Sequence, residues 1–511
     1  MLKQKIMISF FIASLIISNS FAQQKIKELT LEECILQAVK NNLGLAVEVL
    51  NPEIADLTLS RAKEKFLPSL SLNYTQQETN SASYSWIESA TQVKSSYDDY
   101  SAEISQLIPT GGSFSISLET YINDTNRSLL LINPVYSSTL GFSFIQPLLK
   151  DFGFRTSRKE IRIAHNNLEI SGNDLKSALL DTIYNVEEAY WNLVYSIESL
   201  KVKRQSLDLA RDTLSKTKKE VEIGTMAPKE ILSAQAEVAS READILQAGA
   251  LVKNYVDLLK TLINLPEGEG IEDIIPVDQP GFEKREISLD EAFRTAAENR
   301  PDLKKLKINL KNREIERGYA KNQLLPSLDL RANYWSPGLS GDRIQYLNGD
   351  IFSGKVVGIE PGKISDSLKD ALNFRYKNWS IYFTLEIPFN TVLSRADYAR
   401  AKVEVEQAEL RLKHLEQQAF LEIKTAVRAV ETDYQRVQAY KIARELAEQK
   451  LEAEESKLRA GLSSNYFVLQ YQRDLALARS SELKSIIDYN LSLSRLDKAL
   501  GITLEKKNIK L

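Results

Sequence analysis

Cysteine is almost missing from this sequence of 511 residues: Cys34 stands alone, so no disulfide can form within one chain. Histidine is nearly as scarce. With His165 and His414 as the only imidazoles, no zinc cage of ordinary spacing can be assembled, and histidine-based catalysis has little to work with. An excess of charge of one sign is missing too. The 66 Lys and Arg balance 69 Asp and Glu, so a net charge of -3 offers no field for nucleic acid, and 43% hydrophobic residues are too many for disorder. The apolar run at residues 7–18 falls short of the roughly 20 residues a membrane-crossing helix needs.

That run reads instead as part of a secretory signal peptide over residues 1–22, because Lys3 and Lys5 precede it and Ser20, Phe21 and Ala22 supply a cleavage site. Gln23 rather than Cys follows the expected cut, so no acylated lipoprotein start is encoded there. The mature chain is expected to be exported, without a lipid anchor.

What the sequence does contain is a tandem repeat. Thr30-Leu31-Glu32-Glu33 through Asn41, then Leu67-Pro68-Ser69-Leu70, returns without a gap as Ser288-Leu289-Asp290-Glu291 through Asn299, then Leu325-Pro326-Ser327-Leu328. Gln146-Pro147-Leu148 answers to Ile387-Pro388-Phe389, and Ile183, Val186, Tyr190 and Leu193 answer to Val427, Val430, Tyr434 and Val437. Gly224 matches Gly461, each just before a new helix. The reading gives a first repeat over 23–264, a linker over 265–287, a second repeat over 288–501 and a tail over 502–511.

Each half reads as helix, extended segment, very long helix, sharp turn, helix. Residues 390–460 lack both Pro and Gly and are dense in strong helix formers. A continuous helix of that stretch would reach about 105 Å, more than a compact domain needs. Phe420, Ile423, Val427, Val430, Tyr434 and Val437 step by three and four, as do Ile486, Tyr489, Leu493, Leu496 and Leu500, so the rods carry coiled-coil seams. Long helical hairpins are expected over 154–263 and 390–500; Gly172 is the only interruption of the first rod.

The extended segments, about 68–148 and 327–388, alternate with period two. Leu328, Leu330, Ala332 and Tyr334 oppose Asp329, Arg331 and Asn333, and Leu70, Leu72 and Tyr74 oppose Ser71, Asn73 and Thr75. Trp379, Ile381, Phe383, Leu385 and Ile387 oppose Ser380, Tyr382, Thr384 and Glu386 in the same way. One face apolar and one polar suits a soluble sandwich or a barrel with lipid outside and water inside. Export, strands of bilayer-crossing length, and three of the four tryptophans (Trp86, Trp335 and Trp379) in these segments favour the barrel. Two principal strands per half make four per chain, too few to close a barrel alone, so an oligomer must share one. Between its Pro motifs the first half has 17 more residues than the second. They include Ile108-Pro109-Thr110-Gly111-Gly112, the turn of an extra hairpin that projects outward or enlarges the sheet.

These residues together resemble the outer membrane efflux protein (TolC) family over essentially the whole mature chain. The marks are the duplicated Leu-Pro-Ser-Leu, Gln146-Pro147-Leu148-Leu149, and the turns Ile223-Gly224-Thr225-Met226-Ala227 and Ala460-Gly461-Leu462-Ser463-Ser464. The resemblance implies a mainly α fold with β: long helical hairpins form a periplasmic α-barrel tunnel beneath a trimeric transmembrane β-barrel, four main strands per chain and twelve in the trimer. It implies a homotrimer in outer membrane lipid, acting with a periplasmic adaptor (membrane fusion) protein and an inner-membrane pump in tripartite efflux or type I secretion. No cofactor, metal, catalytic residue or nucleic-acid partner is implied.

The resemblance also places candidate site residues. Gly224, Thr225, Met226, Gly461, Leu462 and Ser463 form the adaptor-docking turns. Glu230 falls at the family's acidic tunnel position, while Phe467 and Gln470 stand where well-known members carry two aspartates, so the constriction is expected to be partly hydrophobic. A secreted coiled-coil surface fibre would share the rods but gives no reason for tandem two-faced strands. A glycosidase would need paired carboxylates in a pocket, whereas these carboxylates are spread along helix faces.

Overall fold

The computed structural model describes residues 25–83, 91–265 and 271–509. The expected signal peptide, Trp86, residues 266–270 of the linker and the last two residues of the tail lie outside them. In chain order the elements are β1 (Lys25–Leu29), α1 (Leu31–Asn41), α2 (Leu43–Glu64), β2 (Ser69–Ala82), β3 (Gln92–Leu107), β4 (Ser113–Thr125), β5 (Ile132–Pro147), the single turn α3 (Phe154–Ser157), α4 (Lys159–Glu222) and α5 (Lys229–Ile263). There follow β6 (Ile271–Pro276), α6 (Leu289–Asn299), α7 (Pro301–Asn322), β7 (Ser327–Tyr346), β8 (Val356–Glu360), α8 (Ile364–Leu372), β9 (Asn378–Glu386), α9 (Val392–Arg459), α10 (Asn465–Leu500) and α11 (Thr503–Lys506). The 68 residues of α9 make a rod of about 102 Å. None of the described helices is long and apolar enough to cross a membrane.

The chain divides into two units. The first comprises Met1–Pro52, Ser171–Lys305 and Leu412–Leu511. Here α1 starts on a reciprocal cap: Thr30 Oγ1 accepts from Glu33 N at 3.2 Å, and the Glu33 carboxylate accepts from Thr30 N at 2.9 Å. Its matching helix α6 begins at Ser288 without a side-chain cap, so the repeat preserves the helix but not the capping bonds. Burial follows the repeat. Cys34 and Ala38 of α1 pack on Ile183, Val186, Tyr190 and Leu193 of α4 and Leu259 and Ile263 of α5. Their counterparts Ala292 and Ala296 of α6 pack with Ile423, Val430 and Val437 of α9 and Tyr489, Leu496 and Leu500 of α10. Each fully buried Leu, Ile or Val contributes roughly 1.5–3 kcal/mol. Between the repeats, β6 pairs in parallel with β1, and Tyr190 Oη donates to Asp278 at 2.7 Å. The expected tail is partly helical: Leu504 of α11 and Ile509 beyond it pack against the first core.

The second unit comprises Glu53–Ile170 and Leu306–Arg411 and holds one antiparallel sheet of seven strands. The four main strands expected from the sequence are β2, β5, β7 and β9, and β3, β4 and β8 join them. The order is β2-β3-β4-β5-β7, after which β9 pairs with the first part of β7 and β8 with its last part. The extra hairpin β3–β4 enlarges the sheet rather than projecting from it, because backbone pairing runs without a break from β2 through β3 and β4 to β5, so all four share one pleat. Its turn lies at the sheet end that joins the helices. There Thr110 Oγ1 donates to Gln146 Oε1 at 2.7 Å, and Gly153 N donates to Thr110 O at 2.8 Å. Gly111 has φ +99°, and a Cβ there would stand 2.2 Å from Asp151 O, so only glycine fits this junction.

Candidate functional site

Rows straight across the sheet separate its two faces. Leu70, Ile104, Ile116, Phe142, Tyr334 and Trp379 are successive partners on one face. One residue along, Ser69, Ser105, Ser115, Ser143, Asn333 and Ser380 are successive partners on the other. The polar row is stitched by Ser69 Oγ to Ser105 Oγ at 2.9 Å and by Ser143 Oγ donating to Asn333 Oδ1 at 2.9 Å. Trp379 is largely exposed on the apolar face, as an aromatic at a lipid boundary would be. Trp335 opposes Asn378 in a polar row, so of the two described tryptophans in these strands only Trp379 lies on the apolar face.

Helix α8 lies on part of that apolar face, over a seat of small residues. Ser138 Oγ and Ser367 Oγ meet at 2.9 Å in the interior, and a Cβ on Gly338 would stand 1.9 Å from Ser367 O. Phe374, just beyond the helix, stacks on Phe142 with centroids 6.1 Å apart. The remainder of the face is open: Leu70, Leu72, Ile381, Phe383 and Leu385 are all exposed.

At the other candidate region, in the first unit, the two hairpin turns share one backbone solution. Gly224 has φ +80° and Gly461 φ +73°, the left-handed conformation that ends a helix at low cost only for glycine. Thr225 N donates to Glu220 O and Leu462 N to Lys457 O, each at 2.9 Å, so both turns close with the same pair of crossed bonds. Side chains also finish the caps. Thr225 Oγ1 donates to Glu220 O at 2.8 Å, and Ser463 Oγ donates to Glu454, which also holds Lys457 at 3.1 Å. Leu462, at 79% exposure, and Ile223 are left as bare apolar knobs.

A residue that sequence reasoning passed over joins the two turns. Asn465 is buried at the start of α10, and its Nδ2 donates to Thr217 Oγ1 of α4 at 2.9 Å and to Met226 Sδ of the first turn at 3.4 Å. Phe467 lies half exposed, edge-on to Tyr466 with centroids 5.5 Å apart, and Gln470 is exposed, whereas Val468 and Leu469 between them are buried. Glu230 is half-buried on the first turn of α5. No hydrogen bond or ion pair among the described residues joins Glu230 to Gln470.

A second unforeseen group stands farther along the same helices. Arg241 of α5 is 5% exposed and donates to Glu237 at 2.9 Å and to Ser206 O and Oγ of α4, both at 2.6 Å. Glu237 in turn pairs with Arg473 of α10. Burial alone would raise the Glu237 carboxyl, but the hydrogen bonds from Arg241 and Arg473 outweigh it and hold the group below the usual carboxylate range. The sequence did carry a signal here: Ala234, Arg241 and Ala248 recur at sevens, which sets a charge in an alanine seam.

Known proteins agree with this architecture. The family model described as outer membrane efflux protein matches residues 35–265 and 292–502. Nodulation protein T of Rhizobium leguminosarum bv. trifolii is 24% identical over 358 residues, which cover 69% of this chain and 69% of that protein. The CmeC outer membrane channel of Campylobacter jejuni has a similar fold, with a TM-score of 0.63 at 18% identity over 92% of this chain and 85% of that one. So has the open-state MtrE outer membrane channel of Neisseria gonorrhoeae, with a TM-score of 0.61 at 20% identity over 92% of this chain and 88% of that one. With both spans of the family model matched in tandem, and a two-faced sheet accompanying paired helical hairpins, the chain belongs to the outer membrane efflux protein family.

Proposed function

We propose that this chain is one third of a passive exit duct: a homotrimer whose polar sheet faces line a water-filled pore and whose hairpin turns dock a periplasmic adaptor coupled to an inner-membrane pump. Channels of this family are homotrimers that work with adaptor and pump partners, and they are channels rather than enzymes. The observation that carries the reading is the sheet, which is polar on one face, apolar on the other, and open at both edges within one chain. An open edge cannot stand in lipid, because its unpaired backbone groups have no water to bond. The helices support the same reading. Leu43, Val47, Leu50, Ile54 and Leu57 of α2 step by four and three like a coiled-coil seam, yet all are more than half exposed in the single chain.

In this reading the turns Gly224-Thr225-Met226 and Gly461-Leu462-Ser463 meet the adaptor, with Leu462 and Ile223 as apolar contacts. Glu230, Phe467 and Gln470 line the narrow end of the tunnel, where three copies of Phe467 form an apolar ring. Energy is supplied by the pump, and the chain contributes passage. Mass measurement of the protein in mild detergent tests the assembly: three chains are expected, and a stable folded monomer would overturn it.

A further inference from the structure

The sheet says how its own barrel closes. Six lanes stand side by side in one chain: β2, β3, β4, β5, β7, and a sixth shared by β9 and β8 along different stretches of β7. Pairing through the extra hairpin is unbroken, from Ser69↔Ser105 to Ala82↔Gln92, from Ser95↔Thr125 to Leu107↔Ser113, and from Ser113↔Ile145 to Asn123↔Val135. The apolar and polar rows cross all six lanes without a break of face. A hairpin lying outside the wall would have no reason to match both faces of its neighbours. Every pairing in the sheet is antiparallel and six is even, so β2 and β9 at the two edges run in opposite directions. They are therefore able to pair with each other between copies.

We propose that β9 of one copy pairs with β2 of the next, so that the trimer closes a barrel of eighteen lanes rather than twelve, with β3 and β4 as parts of the wall. The proposal rests on the trimeric reading above and specifies its seam. Geometry narrows the register. Straight across from Ser69 the partners are Ser105, Ser115, Ser143, Asn333 and Ser380, and Ser380 stands six residues above the strand end at Glu386. Glu386 lies on the polar face, because its partner Ser327 alternates with Leu328, so across the seam it must oppose a polar-face residue of β2. Opposite Ser69 it gives a total stagger of 18 residues around the barrel, and opposite Ser71 a stagger of 24. With about 3.3 Å per residue along a strand and about 4.7 Å between strands, these tilt the strands by about 35° and about 43°. The adjacent permitted staggers, 12 and 30, give about 25° and about 50°, outside the roughly 35–45° of closed membrane barrels. Two registers remain: Thr384 faces Ser71 or Asn73 of the next copy.

The wall is correspondingly wider. At these tilts eighteen lanes make a backbone cylinder about 35 Å across, against about 23 Å for twelve.

The test is oxidative crosslinking of the full chain in isolated outer membranes, on a Cys34→Ala background, with paired cysteines on the polar face. Thr384→Cys with Ser71→Cys, or with Asn73→Cys, is expected to give covalent dimers and trimers, and Ser71→Cys with Glu103→Cys a bridge within one chain. Ser71→Cys with Ser143→Cys places the thiols three lanes apart and is expected to give no bridge. A bridge in that last pair, in a protein that still weighs three chains, would show β2 meeting β5 directly; it would overturn the eighteen-lane barrel and leave the trimer standing. A monomeric mass would instead overturn the trimeric reading. Particle images of the unmodified channel provide a second measurement that no variant can confound: a barrel near 35 Å across is expected, and one near 23 Å refutes the proposal.

Discussion

Replacing Arg241 by methionine keeps most of the side chain's length and removes its charge, which isolates what its hydrogen bonds do. The guanidinium donates to Glu237 and twice to Ser206, and it reaches toward Leu469 O at 3.4 Å, too long to count for much. Breaking one partner of a buried ion pair costs about 3–5 kcal/mol. Two features place this case at the lower end: Glu237 keeps Arg473, and a cavity of about 270 Å³ beside the cluster admits water to the orphaned groups. We expect about 3 kcal/mol, expressed as easier local opening where α4, α5 and α10 meet. Since 1.4 kcal/mol is a factor of ten, amide hydrogen exchange around Ser206 and Arg241 should speed up by about a hundredfold, measured by mass spectrometry on the detergent-solubilised channel. The pH dependence has a definite sign. A carboxyl held below its unfolded value stabilises the fold above that value, about pH 4.3, and the contribution is lost as pH falls through the depressed folded value. The variant should therefore lose less protection on acidification than the wild type. Exchange at wild-type rates near Ser206 would show that the buried pair contributes nothing and that the seam is held by its alanines.

Cys34 is fully buried, and its thiol is pushed up to about 12, first by burial and then by Glu33 and Asp278; a maleimide should label it only after denaturation, and rapid labelling of the folded channel would contradict the packing of α1. Leu462→Glu should leave assembly and melting temperature unchanged within about 0.5 kcal/mol, since the residue touches little, yet should abolish export; export at wild-type rate would reduce the turn to a helix cap. In planar bilayers Phe467→Ala should raise conductance more than Glu230→Gln does, and block by divalent cations should be weak; the reverse order would assign the gate to Glu230.

The repeat was legible because it is periodic in sequence, and its offset holds to the single residue in the packing, where Cys34 and Ala38 are replaced by Ala292 and Ala296. The faces of β2, β7 and β9 were legible for the same reason: alternation is a local property. The place of β3 was not, because Tyr97 to Glu103 puts a Tyr and an Asp on each face and only its long-range partners fix which side is which. At the hairpin turns, glycine announced the backbone, since only glycine takes that φ readily. Asn465 did not announce itself. Its partners Thr217 and Met226 lie more than two hundred residues away, and nothing in a lone asparagine at a helix start distinguishes a bridge from a solvated cap.

The two turns share a backbone but differ in chemistry, and this has a consequence for anything that grips them. In the proposed trimer, three chains would present six turns with nearly the same fold, a pseudo-sixfold crown built on threefold symmetry. Around it, turns followed by Pro228 and Glu230 alternate with turns followed by Tyr466 and Phe467. A partner that reads only backbone shape meets six equivalent sockets and seats in six orientations. One that reads side chains meets three of each kind and seats in three, so the angular phase of the whole assembly is set by the residues just after each glycine.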